Sequence, residues 1–158
     1  DPAERVVDYS RAFAVPVGAS EKPLIGEIDC VVETAGETVL VDWKTSARRW
    51  PSSQAEKSMQ PTAYLYGAEQ LQAGAGCSRF RFEVAVKNKT PVIEHNHTTR
   101  SPDDFLRLER MAETADRIVA HELFYPSEQS FACAGCVYAE PCKAWHRQAA
   151  RKTVNLAA

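Results

Sequence analysis

No apolar run in this sequence approaches the roughly 20 residues that a membrane-spanning helix needs, and no signal-peptide pattern stands at its start. We therefore expect a cytoplasmic location and no membrane partner. Internal repeats and a linker are also missing. The sequence begins with Asp1-Pro2 and therefore has no initiator methionine. The last absence indicates a piece of a longer protein. The net charge of −2 does not by itself indicate a nucleic-acid partner.

The 158 residues have the length of one domain with a proper hydrophobic core. Their hydrophobic periodicity predicts the element order βββαββα, and therefore an α/β fold with one central mixed β-sheet flanked by α-helices. The predicted strands are residues 6–17, 24–34, 37–45, 79–88 and 92–99. The predicted helices are residues 52–73, with Ser52 or Ser53 as N-cap and Pro61 as an interior disturbance, and 102–124, which opens with Ser101-Pro102. From residue 125 onward the sequence is typical of a loop.

The stretch GEIDCVVETAGETVLVDWKTS, residues 26–46, predicts a hairpin whose loop is Ala35-Gly36, because glycine tolerates positive φ. This loop places Asp29 opposite Asp42 and Glu27 opposite Lys44, all on one face of the hairpin. The other face is uniformly apolar and is predicted to face the core. It carries Ile28, Cys30, Val32, Val39, Val41 and Trp43.

The two opposed aspartates predict a metal site. Like charges directly opposite each other are destabilising, so Asp29 and Asp42 need a shared proton or a cation between them. Mg²⁺ favours one or two carboxylates together with water and phosphate oxygens, and Lys44 adds a cation that can bind phosphate and orient water. Such an arrangement hydrolyses phosphodiesters. Solvated strand ends with an incidental Glu27–Lys44 pair would not explain the apolar run that leads into Asp42.

Three motifs carry a resemblance to a known family: G-x-x-D at 26–29, D-x-K at 42–44 and Q-x-x-x-Y at 60–64. Together they resemble the PD-(D/E)XK nuclease superfamily, and within it the RecB-like exonucleases with their CRISPR-adaptation and AddB-type members. The resemblance extends over nearly the whole chain. It implies a restriction-endonuclease-like core over residues 1–125 and a cysteine-containing C-terminal tail of the same domain over residues 126–158.

The resemblance also implies how a metal is held and used. Asp29, Asp42 and the backbone carbonyl of Trp43 would hold Mg²⁺ or Mn²⁺, and Lys44 would help to activate the attacking water. The family normally adds a histidine or glutamate from an upstream helix. His95 and His97 are expected to be exposed strand residues that do not replace it, so we expect this chain to lack part of its metal shell.

Gln60 and Tyr64 would lie beside this site, one helical turn apart on one helix face, and would position the lysine and DNA. Taken alone, both would more often be ordinary helix residues. Pro61, which lies between them, is not the usual occupant of this motif in the family.

The tail contains three cysteines in a C-x2-C-x5-C spacing, which are Cys133, Cys136 and Cys142. A third cysteine so close to a C-x2-C pair favours a metal site over coincidence. The spacing resembles the C-terminal triplet of iron–sulfur members of the same nuclease branch, which implies a [4Fe-4S] cluster with a fourth cysteine from an upstream segment. Zinc, with water or His146 as a further ligand, and plain reduced thiols are the alternatives.

The basic residues after the D-x-K motif predict a DNA contact. Residues 41–100 hold nine basic and five acidic side chains, and Arg48, Arg49 and Lys57 could bind phosphates. Trp50 could stack on a base. A solvated loop with one half-buried tryptophan is the alternative.

The leading hypothesis is a metal-dependent DNA nuclease, exonucleolytic in character, from recombination, repair or mobile-element processing. Its partners would be single-stranded DNA or the ends of double-stranded DNA, together with a helicase or another recombination protein. A non-catalytic DNA-binding or scaffold domain is one alternative. A zinc-stabilised interaction module, in which the hairpin acids are incidental, is the other.

Overall fold

The structure, a computed structural model, describes residues 4–71, 77–124 and 130–156, with side chains through residue 148. Two compact units divide after Arg117. The strands are β1 (Arg5–Val15), β2 (Leu24–Thr34), β3 (Glu37–Ser46), β4 (Arg79–Val86) and β5 (Val92–Thr99). The helices are α1 (Gln54–Lys57), α2 (Gln60–Gln70), α3 (Pro102–Ala120) and α4 (Ala139–Leu156). None of the helices described is both long and apolar enough to cross a bilayer.

One five-stranded sheet organises the first unit, with its strands in the order β1-β2-β3-β4-β5. Neighbouring strands are antiparallel except for β3 and β4, which run parallel. A parallel pair needs a crossover, and α1 and α2 lie in the segment that connects β3 to β4. The sheet confirms the predicted α/β class with a mixed sheet and flanking helices.

The β2–β3 hairpin has the predicted register, with Thr34 paired to Glu37 and Cys30 paired to Val41. Its loop residues Ala35 and Gly36 have φ angles of 51° and 78°. Positive φ at both loop positions matches the twist of the flanking strands. Local turn chemistry therefore sets which side chains lie side by side further along the hairpin.

The core differs from the prediction of a single apolar hairpin face. The main buried cluster lies on the face of Leu40 and Asp42 and includes Leu65 of α2 with Phe80 and Phe82 of β4. Of the residues predicted for the core, Ile28 belongs to this main cluster and Trp43 is 57 % exposed. The remaining four form a second buried cluster, which consists of Cys30, Val32, Val39 and Val41. The prediction was wrong because β3 is a central strand that is buried on both faces, where alternation does not mark the larger core. The predicted core stripe of β4 is confirmed, since Phe80, Phe82, Val84 and Val86 are all buried.

The prediction of a single helix over residues 52–73 is also wrong, because the helix is interrupted between α1 and α2. Ser58 is extended at φ −70° and ψ 134°, and α2 begins at Gln60. Pro61 lies in the first turn of α2, where a missing N–H costs no helical hydrogen bond. Ser53 precedes α1 but makes no side-chain capping bond, and residues 72–73 lie outside the described residues.

The tail is not loop-like as predicted. Residues 125–129 lie outside the described residues, but Phe131–Gly135 form a short 3₁₀ helix and α4 extends over 18 residues. The Ser130 hydroxyl accepts a hydrogen bond from the backbone N–H of Ala132 and opens the 3₁₀ helix. The prediction of a loop missed the helical pattern that follows Ala139.

Candidate functional site

The β2–β3 ladder ends at the pair Cys30–Val41, and the candidate site begins just beyond it. There the half-buried Asp29 accepts a hydrogen bond from the backbone N–H of Trp43 through its Oδ2 atom, at 3.1 Å. The carboxylate thus takes the place of a backbone ladder bond. This contact holds Asp29 of β2 against Trp43 of β3.

Asp42 is more deeply buried than Asp29, with only 1 % of its surface exposed. It lies beside Phe82 in the β3–β4 register. Its Oδ1 atom accepts a hydrogen bond from Gln60 Nε2 at 2.5 Å, and its Oδ2 atom forms an ion pair with Lys44 Nζ. These two partners bring residues from β3 and from the start of α2 onto one carboxylate.

Burial raises the pKa of the Asp42 carboxyl above its ordinary value, because the charged form is poorly solvated there. The hydrogen bond and the charge of Lys44 lower this pKa, the charge of Asp29 raises it further, and the hydrogen bond from Gln60 lowers it. The balance leaves the pKa raised. The effect of burial on this pKa therefore outweighs that of the contacts with Lys44 and Gln60.

Lys44 stands at the edge of the site, with its side chain 34 % exposed. Its Nζ atom lies 5.8 Å from the centroid of the Phe82 ring, within the usual range of a cation–π contact. The predicted pairing of Lys44 with Glu27 is replaced by the pair with Asp42. The ammonium group contacts the buried carboxylate while part of the side chain faces solvent.

Gln60 and Tyr64 have different surroundings. Gln60 begins α2 and reaches Asp42, as described above. The Tyr64 ring packs edge-on against Phe13 and Phe80, with centroid distances of 5.9 and 6.1 Å. Tyr64 is half-buried and belongs to the edge of the main core. The structure therefore brings Gln60 to the acids and packs Tyr64 against aromatic core residues.

The predicted DNA-contact residues also separate. Arg48, Arg49 and Lys57 are exposed, and Arg49 pairs with Glu94 at 2.5 Å. Trp50 is half-buried and packs against Phe82 at a centroid distance of 5.0 Å. This packing matches the alternative of a half-buried tryptophan rather than a free stacking platform.

The opposite face of the sheet carries a cavity of about 430 Å³, lined in part by Trp43, Arg81 and Glu83. Arg81 is buried and binds both carboxylate oxygens of Glu4, at 2.6 and 2.9 Å. Glu83 pairs with Arg81 and with Nδ1 of His95. His95 and His97 are exposed, as predicted for these strand residues. His95 is held by Glu83, and His97 is the strand partner of Arg81 in the β4–β5 register.

The three cysteines of the tail lie in the second unit and are exposed. Cys133 is in the 3₁₀ helix and its carbonyl accepts from the Cys136 N–H at 3.3 Å, while Cys142 lies in the first turn of α4. Over residues 4–71, 77–124 and 130–156, no three His, Cys, Asp or Glu side chains are grouped around a common metal position. The structure thus does not bring the three sulfur atoms together.

Sequence reasoning missed one residue that bears on the site, the buried Arg100. Its partners lie in α1, α2 and β5, up to 45 positions away along the chain. A lone arginine after a strand gives no signal of such a role.

Comparison with known proteins places these residues in context. The family model of the PD-(D/E)XK nuclease superfamily matches residues 2–143. A comparison with curated proteins gives no match. Among solved structures, the chain is similar to the crystal structure of SSO0001, at 11 % sequence identity and a TM-score of 0.43. That similarity covers 87 % of this chain but only 60 % of the other.

Proposed function

The chain belongs to the PD-(D/E)XK nuclease superfamily, and from this premise we propose that it is a metal-dependent DNA exonuclease. The observation that carries the proposal is the Asp42 carboxylate, buried to 1 % exposure with Lys44 and Gln60 on its two oxygens and Asp29 alongside. A fold gains no stability from two adjacent acids of this kind. Their chemistry offers the explanation.

The donor set fits a hard divalent cation. Asp29 and Asp42 supply two carboxylates, and Mg²⁺ or Mn²⁺ needs no more from the protein when water and phosphate oxygens complete its shell. Burial raises the pKa of Asp42 despite its contact with Lys44, and a cation bound beside the carboxylate would favour its charged form. The Trp43 backbone is already tied to Asp29 by its N–H. We assign its carbonyl as the third protein ligand.

When bound, the cation would supply positive charge to the phosphate undergoing attack. Lys44 would orient the attacking water, because its partly exposed side chain brings the ammonium group to the Asp42 carboxylate. Gln60 would fix the direction of the Asp42 carboxylate through the 2.5 Å hydrogen bond. Tyr64 would support α2 from the core, and exposed Arg48, Arg49 and Lys57 would bind DNA phosphates.

The finer assignments extend the same proposal. The substrate would be single-stranded DNA or the ends of double-stranded DNA, during recombination, repair or the processing of mobile elements, together with a helicase or another recombination protein. Cys133, Cys136 and Cys142 would hold a [4Fe-4S] cluster with a fourth thiolate from outside these residues, because such a cluster needs four ligands. An iron–sulfur protein is brown, whereas a zinc protein is colourless, so the absorption spectrum of purified protein decides between the two metals.

The test of the function is Mn²⁺-dependent degradation of end-labelled linear DNA, with circular DNA of the same sequence as the control for end dependence. We expect the parent to degrade linear DNA and Asp42→Asn to lose at least about 100-fold of the rate. Asp103→Asn, which changes an exposed acid in the first turn of α3, should keep the parental rate.

Thermal unfolding with and without Mn²⁺ separates binding from cleavage. At 100 times its Kd, a metal stabilises the fold by about 2.7 kcal/mol. The parent should gain this stability and Asp42→Asn should not. A parent that binds Mn²⁺ without cleaving DNA would favour the scaffold alternative. A parent that does neither would remove the basis of the proposal.

A further inference from the structure

Arg100 follows β5 directly and is buried, with 8 % of its surface exposed. Because a guanidinium has only five N–H groups and Nη2 contacts three oxygens, one N–H is shared among the six hydrogen bonds of the side chain, all of them to uncharged oxygens. They go to the hydroxyls of Thr62 (2.7 Å) and Thr98 (2.6 Å) and to the carbonyls of Thr99 (2.7 Å), Ala55 (3.2 Å), Glu56 (3.1 Å) and Ser58 (2.8 Å).

No carboxylate among the residues that the structure describes forms an ion pair with Arg100. Burial of a charged group is costly unless hydrogen bonds replace its hydration. Here the planar guanidinium satisfies several acceptors at once. A lysine could not reproduce this fork of donors.

The acceptors show what Arg100 does for the chain. In an uninterrupted helix, the carbonyls of Ala55 and Glu56 would accept from the N–H groups of residues 59 and 60. The break at Ser58 removes those donors. Arg100 supplies replacements for both carbonyls and binds the Ser58 carbonyl as well. It therefore stabilises the interruption between α1 and α2.

This interruption determines where Gln60 lies. Arg100 binds the residue two positions before Gln60, through the Ser58 carbonyl, and the residue two positions after it, through the Thr62 hydroxyl. Gln60 itself donates to Asp42 Oδ1. The first turn of α2 is thus fastened on both sides of the amide that contacts the buried acid.

We propose that Arg100 is a positioning residue of the candidate site, which holds Gln60 in hydrogen-bond contact with Asp42. Only the catalytic consequence rests on the proposed function; the positioning itself does not. Loss of Arg100 or of its bond to Thr62 should let the first turn of α2 shift and free the Gln60 amide.

Two threonines make a matched test. Thr62 and Thr98 are both buried and each accepts one bond of similar length from Arg100, but only Thr62 flanks Gln60. Thr62→Val should therefore release Gln60, whereas Thr98→Val should not. A purely structural role of Arg100 would make the two variants equivalent. Arg100→Lys, which keeps the charge, should behave like Thr62→Val.

The first measurement is the ¹⁵N NMR signal of the Gln60 side-chain amide in metal-free protein, assigned by its loss in Gln60→Met. In the parent we expect a shifted and exchange-protected signal. Thr62→Val and Arg100→Lys should move it to the position of a solvated glutamine, and Thr98→Val should leave it unchanged. The proposal fails if the parental signal is that of a solvated glutamine, or if both threonine variants change it alike or neither does. The threonine pair decides the matter even if Arg100→Lys does not fold.

The second measurement is steady-state cleavage. Thr62→Val should lower kcat by about 10- to 100-fold with little change in KM, because misplacement of a catalytic contact by 1 Å has that effect. In the Gln60→Met background the same change should have no further effect, and an additional loss there would overturn the catalytic part. A parent without nuclease activity would refute the proposed function, while the NMR signal would still decide the positioning.

Discussion

Asp42 carries a free-energy cost that its neighbours offset only in part. The carboxylate lies beside Phe82 of the main core, and its oxygens contact Lys44 and Gln60. A neutral side chain of the same shape would be easier to bury. Residues that serve chemistry commonly reduce stability in this way. The cost should be measurable without any metal or substrate.

Asp42→Asn should raise the free energy of unfolding at pH 8 by about 0.5–2 kcal/mol, the usual gain when such a site is neutralised. The pKa of Asp42 is raised in the folded state, so the folded protein holds this proton more tightly than the unfolded chain does. The contribution of Asp42 to the free energy of unfolding therefore falls as the pH rises from the ordinary value of 3.8 through the raised pKa of the folded state. Urea unfolding in EDTA at pH 4 and pH 8 should show the advantage of the variant growing with pH.

Asp104→Asn should show the opposite sign and serves as the control. Asp104 accepts hydrogen bonds from the backbone N–H and the hydroxyl of Ser101 at the start of α3, and these bonds lower its pKa. Its stabilising effect is present above pH 3.8 and is lost as the pH falls. The variant should lose about 1 kcal/mol near neutral pH. Equal pH dependence in the two variants would contradict both assignments.

At the level of single residues, the sequence pattern could predict contacts that follow from local pairing, but not those that depend on how distant parts of the chain pack. The proximity of Asp29 to the D-x-K segment could be predicted because hairpin pairing is local and follows from a two-residue loop. The exposure of Trp43 was missed because alternation shows that two faces differ, without showing what covers each. Arg100 was missed because its partners are distant in sequence and consist mostly of backbone carbonyls, which every residue has.

Among the elements, those defined by local chemistry were predicted best. β5 has the predicted bounds of residues 92–99, and α3 begins at the predicted Pro102. The hairpin register was confirmed as well. The break between α1 and α2 was not predicted, because it depends on donors from Arg100 that lie beyond the helix. Tertiary hydrogen bonds overrode the helical periodicity there.

The packing of α2 on the sheet depends on two glycines. A Cβ atom added to Gly67 would come within 2.6 Å of the Phe13 ring, and one added to Gly26 of β2 would also come within 2.6 Å of it. The buried Phe13 ring therefore lies tightly against both glycines. The glycine of the G-x-x-D motif thus has a packing role next to the candidate site.

Gly67→Ala should destabilise the protein by about 1–3 kcal/mol, the usual cost of overpacking a core. Helix propensity alone predicts the reverse, a gain of about 1 kcal/mol. The steric effect should dominate because Phe13 is buried and also lies tightly against Gly26. Gly135→Ala, where an added Cβ meets no atom within 4 Å, should change the free energy of unfolding by less than about 0.5 kcal/mol. Chemical denaturation distinguishes the two, and a stabilised Gly67→Ala variant would show that the ring can move.

At the scale of the whole molecule, the position of a basic residue along the sheet should affect DNA binding more than the net charge of the protein does. Arg48 follows the carboxyl end of β3, next to the candidate site. Arg79 begins β4 near the hairpin turn and pairs with Glu37 at 3.1 Å. Both are exposed arginines in the same sheet unit. They form a matched pair for a test of where DNA lies.

Arg48→Gln should reduce the slope of log K against log salt for DNA binding by about one phosphate contact, whereas Arg79→Gln should leave the slope unchanged. Fluorescence anisotropy with a labelled oligonucleotide across a salt series measures both slopes. Catalysis is excluded by use of Ca²⁺ in place of Mn²⁺. Equal slopes for the two variants and the parent would mean that DNA does not contact the loop after β3.

The parallel pairing of β3 with β4 has a consequence for the order of folding. The β2–β3 hairpin closes a two-residue loop, whereas β3 and β4 pair only after the segment of residues 47–78 has been spanned. Short loops close early and distant pairings form late. We therefore expect a higher φ value for Val39→Ala than for Val84→Ala in folding kinetics, and the reverse order would contradict this sequence of events. Asp29 and Asp42 would then meet while both still face water, before α2 brings Gln60 and before burial makes their proximity costly.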